Sequence, residues 1–534
     1  MKLIRKTVSG AMKACRMKAL VTVFALCAVA SQATAQTVDG RNFGIDGFAA
    51  LPGKAGTPHY LAGGTTGGEG GKVVYARTFQ QLKAYLQAES PYIVLVDKDM
   101  DTGIKCWVDD LATGELCAKQ DGSEGVETTY GERIMIASNK TLIGVTNPQT
   151  GEAPLFSRIS FVMQCANNVI IRNCRFTMNG VPADKADEMK VIALRDGVQT
   201  KVGDPDCISI QADETDADTD FGGHIWIDHC EFFNGNAADK DRYDGLVDCK
   251  NNVQWITVSY NHFHNHDKVS VWGKSGNDVF DECRTTSFHH NFYENIEGSR
   301  LPLQRGGYTH YCNNYHSGCQ DGWELEAGAT GFVEACYFYD TKAPIKLDSK
   351  ADGYLTVNTD EGYDLIYESC RRFLKGYKNI DNDKNDETYD YSETDWSPYD
   401  YEGYTVNTLD KTADVPAVVQ KYAGAGKIEI WSEYADAVPA EDINEYAAAI
   451  KDNPTEATYD ENGDKVYDLG TGQTDGTTTR PGTSGQNIIA TLKMDTRDIK
   501  RNNLQGRAYG EIYFLRDFTF TSSMSLGYRA SDEL

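Results

Sequence analysis

Six times along the middle of the chain a short β-type run ends in Cys or Asn, skips one residue and meets an aromatic. The pairs are Cys174 with Phe176, Cys230 with Phe232, Asn261 with Phe263, Asn291 with Tyr293, Asn313 with Tyr315 and Cys336 with Phe338. Successive units are 56, 31, 30, 22 and 23 residues apart. The last four spacings fall in the roughly 20–50-residue range of stacked repeat units, and the first is either two coils or one coil with a long insertion. Residues 169–171, 225–227 and 255–258 are short β-rich runs that lack the 3.6-residue period of helical repeats. The pattern predicts an all-β solenoid, a parallel β-helix. Its stacked strands bury one face, its Asn side chains hydrogen-bond along the stack at equivalent bends, and its aromatics pile into columns. A β-sandwich with strands at similar spacing is the competing architecture.

Length does not argue against this, because an elongated β fold can spend many of the 534 residues on one core. Asp and Glu total 79 against 52 Lys and Arg, a net charge of −27, which opposes any general electrostatic grip on nucleic acid or anionic lipid. Residues 1–35 read as a signal peptide: Lys2, Arg5, Lys6, Lys13, Arg16 and Lys18 precede an apolar run at 19–30, and Ala33, Thr34 and Ala35 supply small residues for cleavage. The apolar run is too short for a membrane span, so the expectation is a secreted or periplasmic protein released near Ala35. Twelve of the 14 cysteines lie beyond residue 35. Cys106 with Cys117 is the expected loop-closing disulfide, whereas Cys165, Cys174, Cys230, Cys249, Cys312 and Cys336 sit in strand-like surroundings as small buried hydrophobes.

Thr78 and Gln81 form a capping box ahead of Phe79, Leu82 and Leu86, which predicts an amphipathic helix closing the N-terminal end of the solenoid. Further helices are expected over 414–422 and 440–451, and an Asp- and Tyr-rich loop over 379–404 should wrap along the surface. The expected division is 36–430 for the β-helix, 431–469 for a helical and loop segment, 470–486 for a Gly/Thr/Pro-rich linker and 487–534 for a tail without an assigned role.

Several groups of residues could carry chemistry. The glycine-rich stretch 63–72 lacks the Lys-Ser/Thr ending of a phosphate loop and reads as a structural turn. His262, His264 and His266 alternate, with His289 and His290 one coil later. That brings a transition metal within reach, although hydrogen-bonding stackers account for the same residues. Carboxylates make the better case. Asp204 and Asp206 flank a proline before one β-run, and Asp244 and Asp248 flank residues 245–247. Adjacent coils would bring these four together, and hard oxygen donors without Cys or His specify Ca²⁺; four ordinary surface acids is the alternative. Lys268, Arg300 and Arg305 follow on later coils, and together with the acids they point to a groove in which calcium and fixed cations neutralise a polyanion.

In order along the chain, Trp226-Ile227-Asp228-His229, Ser259-Tyr260-Asn261, His266-Asp267-Lys268 and the run Arg300-Leu301-Pro302-Leu303-Gln304-Arg305-Gly306-Gly307 closely resemble polysaccharide lyase family 1, the pectate lyases. The glycine-rich segment 63–71 and Lys140-Thr141-Leu142-Ile143-Gly144 resemble its N-terminal half, and the likeness covers roughly residues 43–430. The resemblance implies a right-handed parallel β-helix that binds polygalacturonate in a surface groove and cleaves it by calcium-dependent β-elimination. It also implies that Asp204, Asp206, Asp244 and Asp248 bind calcium, that Lys268 binds a substrate carboxylate and shares in catalysis by withdrawing charge, that Arg300 is the catalytic base and that Arg305 is a second substrate-binding arginine. Asp228 and His229 belong to a signature strand and read as structural. A pectin lyase acting on methyl-esterified polymer, or a noncatalytic carbohydrate-binding β-helix, are the alternatives. A monomer is expected.

Overall fold

The computed structural model describes residues 37–453 outside the segments 102–132, 180–205, 213–220, 236–242, 279–283, 348–351, 382–385, 431–433 and 435–442; in some of these and beyond 453 it gives only the backbone of a few strands. The expected signal peptide, the Cys106–Cys117 pair, Asp204 and the 470–486 linker therefore lie outside the described residues.

The chain is a right-handed parallel β-helix. Each coil contributes one strand to each of three sheets, as where Val253–Ser259 leads to His262–Lys268, then Val271–Trp272, then Thr286–His289 beside the strand where the circuit began. The sheets contain ten, nine and twelve strands, and the twelve-stranded sheet carries an antiparallel extension that includes Ile192–Arg195 and Val198–Lys201. Phe176 lies directly beside Phe232 in register, so the 56-residue spacing is one coil with a long insertion.

Two internal columns hold the coils in register. One is aromatic: Phe176, Phe232, Phe263 and Tyr293 stack with neighbouring centroids 4.9–5.2 Å apart and rings within 11° of parallel, and His316, Phe338 and Tyr367 continue the column. The other is an asparagine ladder at the bend that leads from the ten-stranded to the nine-stranded sheet. Asn261 Oδ1 accepts from Cys230 N–H (2.9 Å), Asn291 Oδ1 from Asn261 N–H (3.1 Å) and Asn314 Oδ1 from Asn291 N–H (3.0 Å). The fifth repeat unit is thus Asn314 with His316, one residue beyond the expected Asn313 with Tyr315. Tyr315 instead belongs to an outer column with Phe292, over which the helix Val415–Tyr422 packs Val415 and Val419. Asn291→Ala would orphan the buried Asn261 N–H and remove a side-chain donor from the Val258 carbonyl, and is expected to cost about 1–3 kcal/mol. A thermal unfolding midpoint equal to that of the wild type would show that the ladder does not stabilise the stack.

The six cysteines expected as small hydrophobes are all free thiols; five are buried and Cys165 is half-buried. At the N-terminal end the helix Phe79–Gln87 begins as expected, Thr78 accepting from Gln81 N–H. Gln81 reaches back to Arg77 N–H, one residue beyond the cap itself. The helix Ile443–Lys451 returns to this same end, where Glu445 Oε1 accepts from the Tyr92 hydroxyl (2.8 Å) and Asp452 binds Glu89 and Ser90 N–H groups. Residues of the 379–404 loop do pack on the solenoid: Trp396, Tyr401 and Tyr404 cover Phe48 and Trp255.

Candidate active site

The twelve-stranded sheet brings two carboxylate-bearing segments side by side. Ile208–Gln211 and Val247–Lys250 pair in parallel with Ser209 opposite Asp248. The second strand begins two residues later than 245, so Asp248 lies within it and Asp244 precedes it. Ligand oxygens of Asp206, Asp244 and Asp248 all come within 4.8 Å of one another. Gly245 makes the approach possible, since a Cβ there would stand 2.0 Å from Asp248 Oδ1. Its N–H donates to Asp206 Oδ1 (3.1 Å), and Val271 N–H donates to Asp248 Oδ1 (2.8 Å).

Three carboxylates this close, two of them almost fully buried, are costly as anions. Burial first, then the Asp244 charge, pushes the Asp206 carboxyl up to about 6. Burial, then Asp206 and Asp244, drives Asp248 well above the ordinary carboxylate range. A divalent cation would relieve both penalties, and a cluster of carboxylate oxygens without sulfur or imidazole suits calcium. Lys250, which sequence reasoning passed over, already offers partial compensation with Nζ 3.8 Å from Asp206 Oδ2. Its sequence setting, Cys249-Lys250-Asn251, looks like any strand end.

The expected cations sit on the following coils. Lys268 ends the strand His262–Lys268 opposite Ser299, and Arg300 follows that serine directly. Arg300 Nη1 stands 4.0 Å from Asp244 Oδ1, with its side chain partly open to solvent. Its backbone is left-handed (φ 70°), which costs a non-glycine residue roughly 1–2 kcal/mol, and its carbonyl is fixed by Ser270 N–H (2.9 Å). Arg305 lies further along, bound to Glu326 (3.0 Å) and the Gly273 carbonyl (2.9 Å), beside an open cavity of about 700 Å³ that Lys274 and Ser275 also line. Below it, the fully buried pair Arg284 and Asp278 supports the backbone, Arg284 Nε donating to the Arg305 carbonyl.

The histidines divide. His262 and His264 share a face, their rings 4.4 Å apart, but the left-handed Asn265 (φ 49°) breaks the alternation and His266 turns inward. His266 Nε2–H donates to the Asp244 carbonyl (2.9 Å), and burial pushes its pKa down to about 4, so it buttresses the acid cluster as a neutral ring. His289 and His290 bind Asp46 and Asp410, in segments packed outside the ten-stranded sheet. Asp228 and His229 are buried in one network with Arg172, apart from the acid cluster. The glycine-rich segment is a turn, in which Thr66 and Gly67 N–H groups both bind Asn168 Oδ1.

A sequence profile for pectate lyase matches residues 49–428, most of the chain. The chain belongs to the pectate lyase family. Its relatives include a pectate trisaccharide-lyase of Bacillus licheniformis, 29% identical over 391 residues that cover 72% of this chain and 88% of the relative. A pectate trisaccharide-lyase of Thermotoga maritima is 28% identical over 431 residues, covering 78% of this chain and 97% of its own length. Among solved structures, pectate lyase II of Xanthomonas campestris superposes with a TM-score of 0.46 at 23% identity, over 72% of this chain and 99% of that one. Membership of this family makes the protein a polysaccharide lyase.

Proposed function

We propose that the protein is a secreted pectate lyase that cleaves polygalacturonate by calcium-dependent β-elimination, leaving a 4,5-unsaturated end. The observation that carries this reading is the meeting of Asp206, Asp244 and Asp248 within 4.8 Å, with the Arg300 guanidinium 4.0 Å from the same cluster. Asp206, Asp244 and Asp248 would hold calcium, with Asp204 proposed as a further ligand. Calcium, when bound, supplies positive charge that stabilises the developing enolate of the uronate.

The chain's own residues then have distinct tasks. Lys268 pairs with a uronate carboxylate at the reacting centre, and Arg305 binds a second one along the groove. Arg300 removes the proton from C5, α to the carboxylate, as the glycosidic oxygen departs from C4. An arginine that takes a proton must first give up its own, so turnover should rise with pH. Export is supported by the basic and apolar pattern of the first 35 residues. No helix among the described residues is long and apolar enough to cross a membrane. A monomer is proposed.

Ultraviolet absorbance of the unsaturated product, with purified protein on polygalacturonate and on methylated pectin, tests the assignment directly. Each methyl ester removes charge-assisted contacts worth roughly 1.5–3 kcal/mol apiece. At matched chain length and saturating calcium, the rate on polygalacturonate should exceed that on highly methylated pectin by at least about tenfold. Equal or higher rates on the methylated polymer would favour a pectin lyase.

A further inference from the structure

Away from the acid cluster, on the outer face of the nine-stranded sheet, ligand atoms of Glu231, His262 and His264 lie within 4.8 Å of one another. We propose that these three side chains form a second metal site, for a divalent transition ion of the zinc type. His262 and His264 are two residues apart on one strand and so project from the same face. Glu231 stands opposite His262 on one neighbouring strand, and Glu294 stands opposite His264 on the other. The contacts cross diagonally: His264 Nε2 is 2.9 Å from Glu231 Oε1, and His262 Nε2 is 3.0 Å from Glu294 Oε2. Both imidazoles therefore turn the same nitrogen toward carboxylate oxygen.

The two rings are held in place before any ion arrives. They stack on each other at 4.4 Å, with Phe292 against His262 at 4.7 Å and Phe233 against His264 at 5.0 Å. Their side chains are only 19% and 14% exposed, whereas Glu231 and Glu294 are freer to adjust at 25% and 47%. Zinc bonds of about 2.0–2.2 Å in a tetrahedron place ligand atoms roughly 3.3 Å apart, so the cluster must contract by about 1.5 Å at most, within reach of a carboxylate rotation. Asn265 lies 2.9 Å from His264 Nδ1. Its own oxygen accepts from Asn295 Nδ2, so when both amides turn over together the Asn265 oxygen accepts from His264 Nδ1–H, which leaves the Nε2 lone pair for the metal.

Donor chemistry separates this site from the acid cluster. Two imidazoles with a carboxylate favour zinc, nickel or copper, whereas calcium takes oxygen ligands. The competing account is a pair of crossed histidine–glutamate contacts that only brace the strands. Titration calorimetry with zinc chloride on the full-length protein, in excess calcium to fill the acid cluster, distinguishes them. Wild type should bind zinc in the micromolar range or tighter. His264→Gln should weaken that binding by at least about tenfold, and Glu231→Gln, a change at a partly exposed residue, should weaken it as well. Asp248→Asn should leave it unchanged. The proposal is overturned if wild type takes up no zinc under these conditions, or if both site variants bind it as tightly as wild type. It is also overturned if Asp248→Asn alone removes the binding.

Discussion

Replacing Arg300 with lysine is expected to lower kcat by roughly a thousandfold or more, within the range for loss of an essential acid–base group, while substrate affinity changes little. The expectation rests on position. Arg300 follows Ser299, which lies opposite Lys268, and its guanidinium stands beside Asp244. Lysine keeps the positive charge but is shorter and lacks the planar fork, so a purely electrostatic role would survive the change in large part. Initial rates at saturating calcium and substrate, with circular dichroism to verify folding, check the outcome. Near-normal turnover would move the search for the base to Lys268.

Removing calcium should have the other large effect. A chelator in excess is expected to abolish formation of the unsaturated product, and Asp248→Asn should raise the calcium concentration for half-maximal activity by about tenfold or more, the equivalent of one charge-assisted contact. Protons compete for the same oxygens. Because the Asp206 carboxyl is raised to about 6, acidification through pH 6 protonates it, removes ligand charge and weakens calcium binding; affinity recovers as pH rises above that value. Calcium titrations at pH 5 and pH 8 check the sign. Full activity in the chelator would remove the proposed metal-dependent mechanism and leave the three aspartates without a task.

The solenoid was legible because its spacing and its Cys or Asn endings repeat, and the one slip in register has a local cause. Residues 313–316 read Asn-Asn-Tyr-His, so either asparagine can serve the ladder and either ring the column. Only the pairing of Tyr293 with His316 decides between them. At the candidate site, the convergence of Asp206, Asp244 and Asp248 followed from placing consecutive coils side by side, a step that repeat spacing supports. Lys250 and the buttress His266 were not legible. The first reads as an ordinary strand-end lysine, and the second depends on a left-handed Asn265 that strict alternation does not foresee. The same break in alternation leaves His262 and His264 together with Glu231, a grouping that cross-strand register reveals and linear spacing conceals.

The end cap of this solenoid is assembled from distant parts of the chain. Coils of a repeat fold consolidate through nearest neighbours, so a growing chain can settle coil by coil as it emerges. Here Glu445 and Asp452 complete the edge formed by Tyr92, Glu89 and Ser90. Helix Phe79–Gln87 covers the opening coil early, but more than 350 residues separate Tyr92 from the Glu445 that packs on the same end. Closing so long a loop adds little entropy beyond a shorter one, since the cost grows only with the logarithm of length, but it postpones the event. The opening coil is thus closed in two steps, by a helix that precedes most of the coils and by another that follows them.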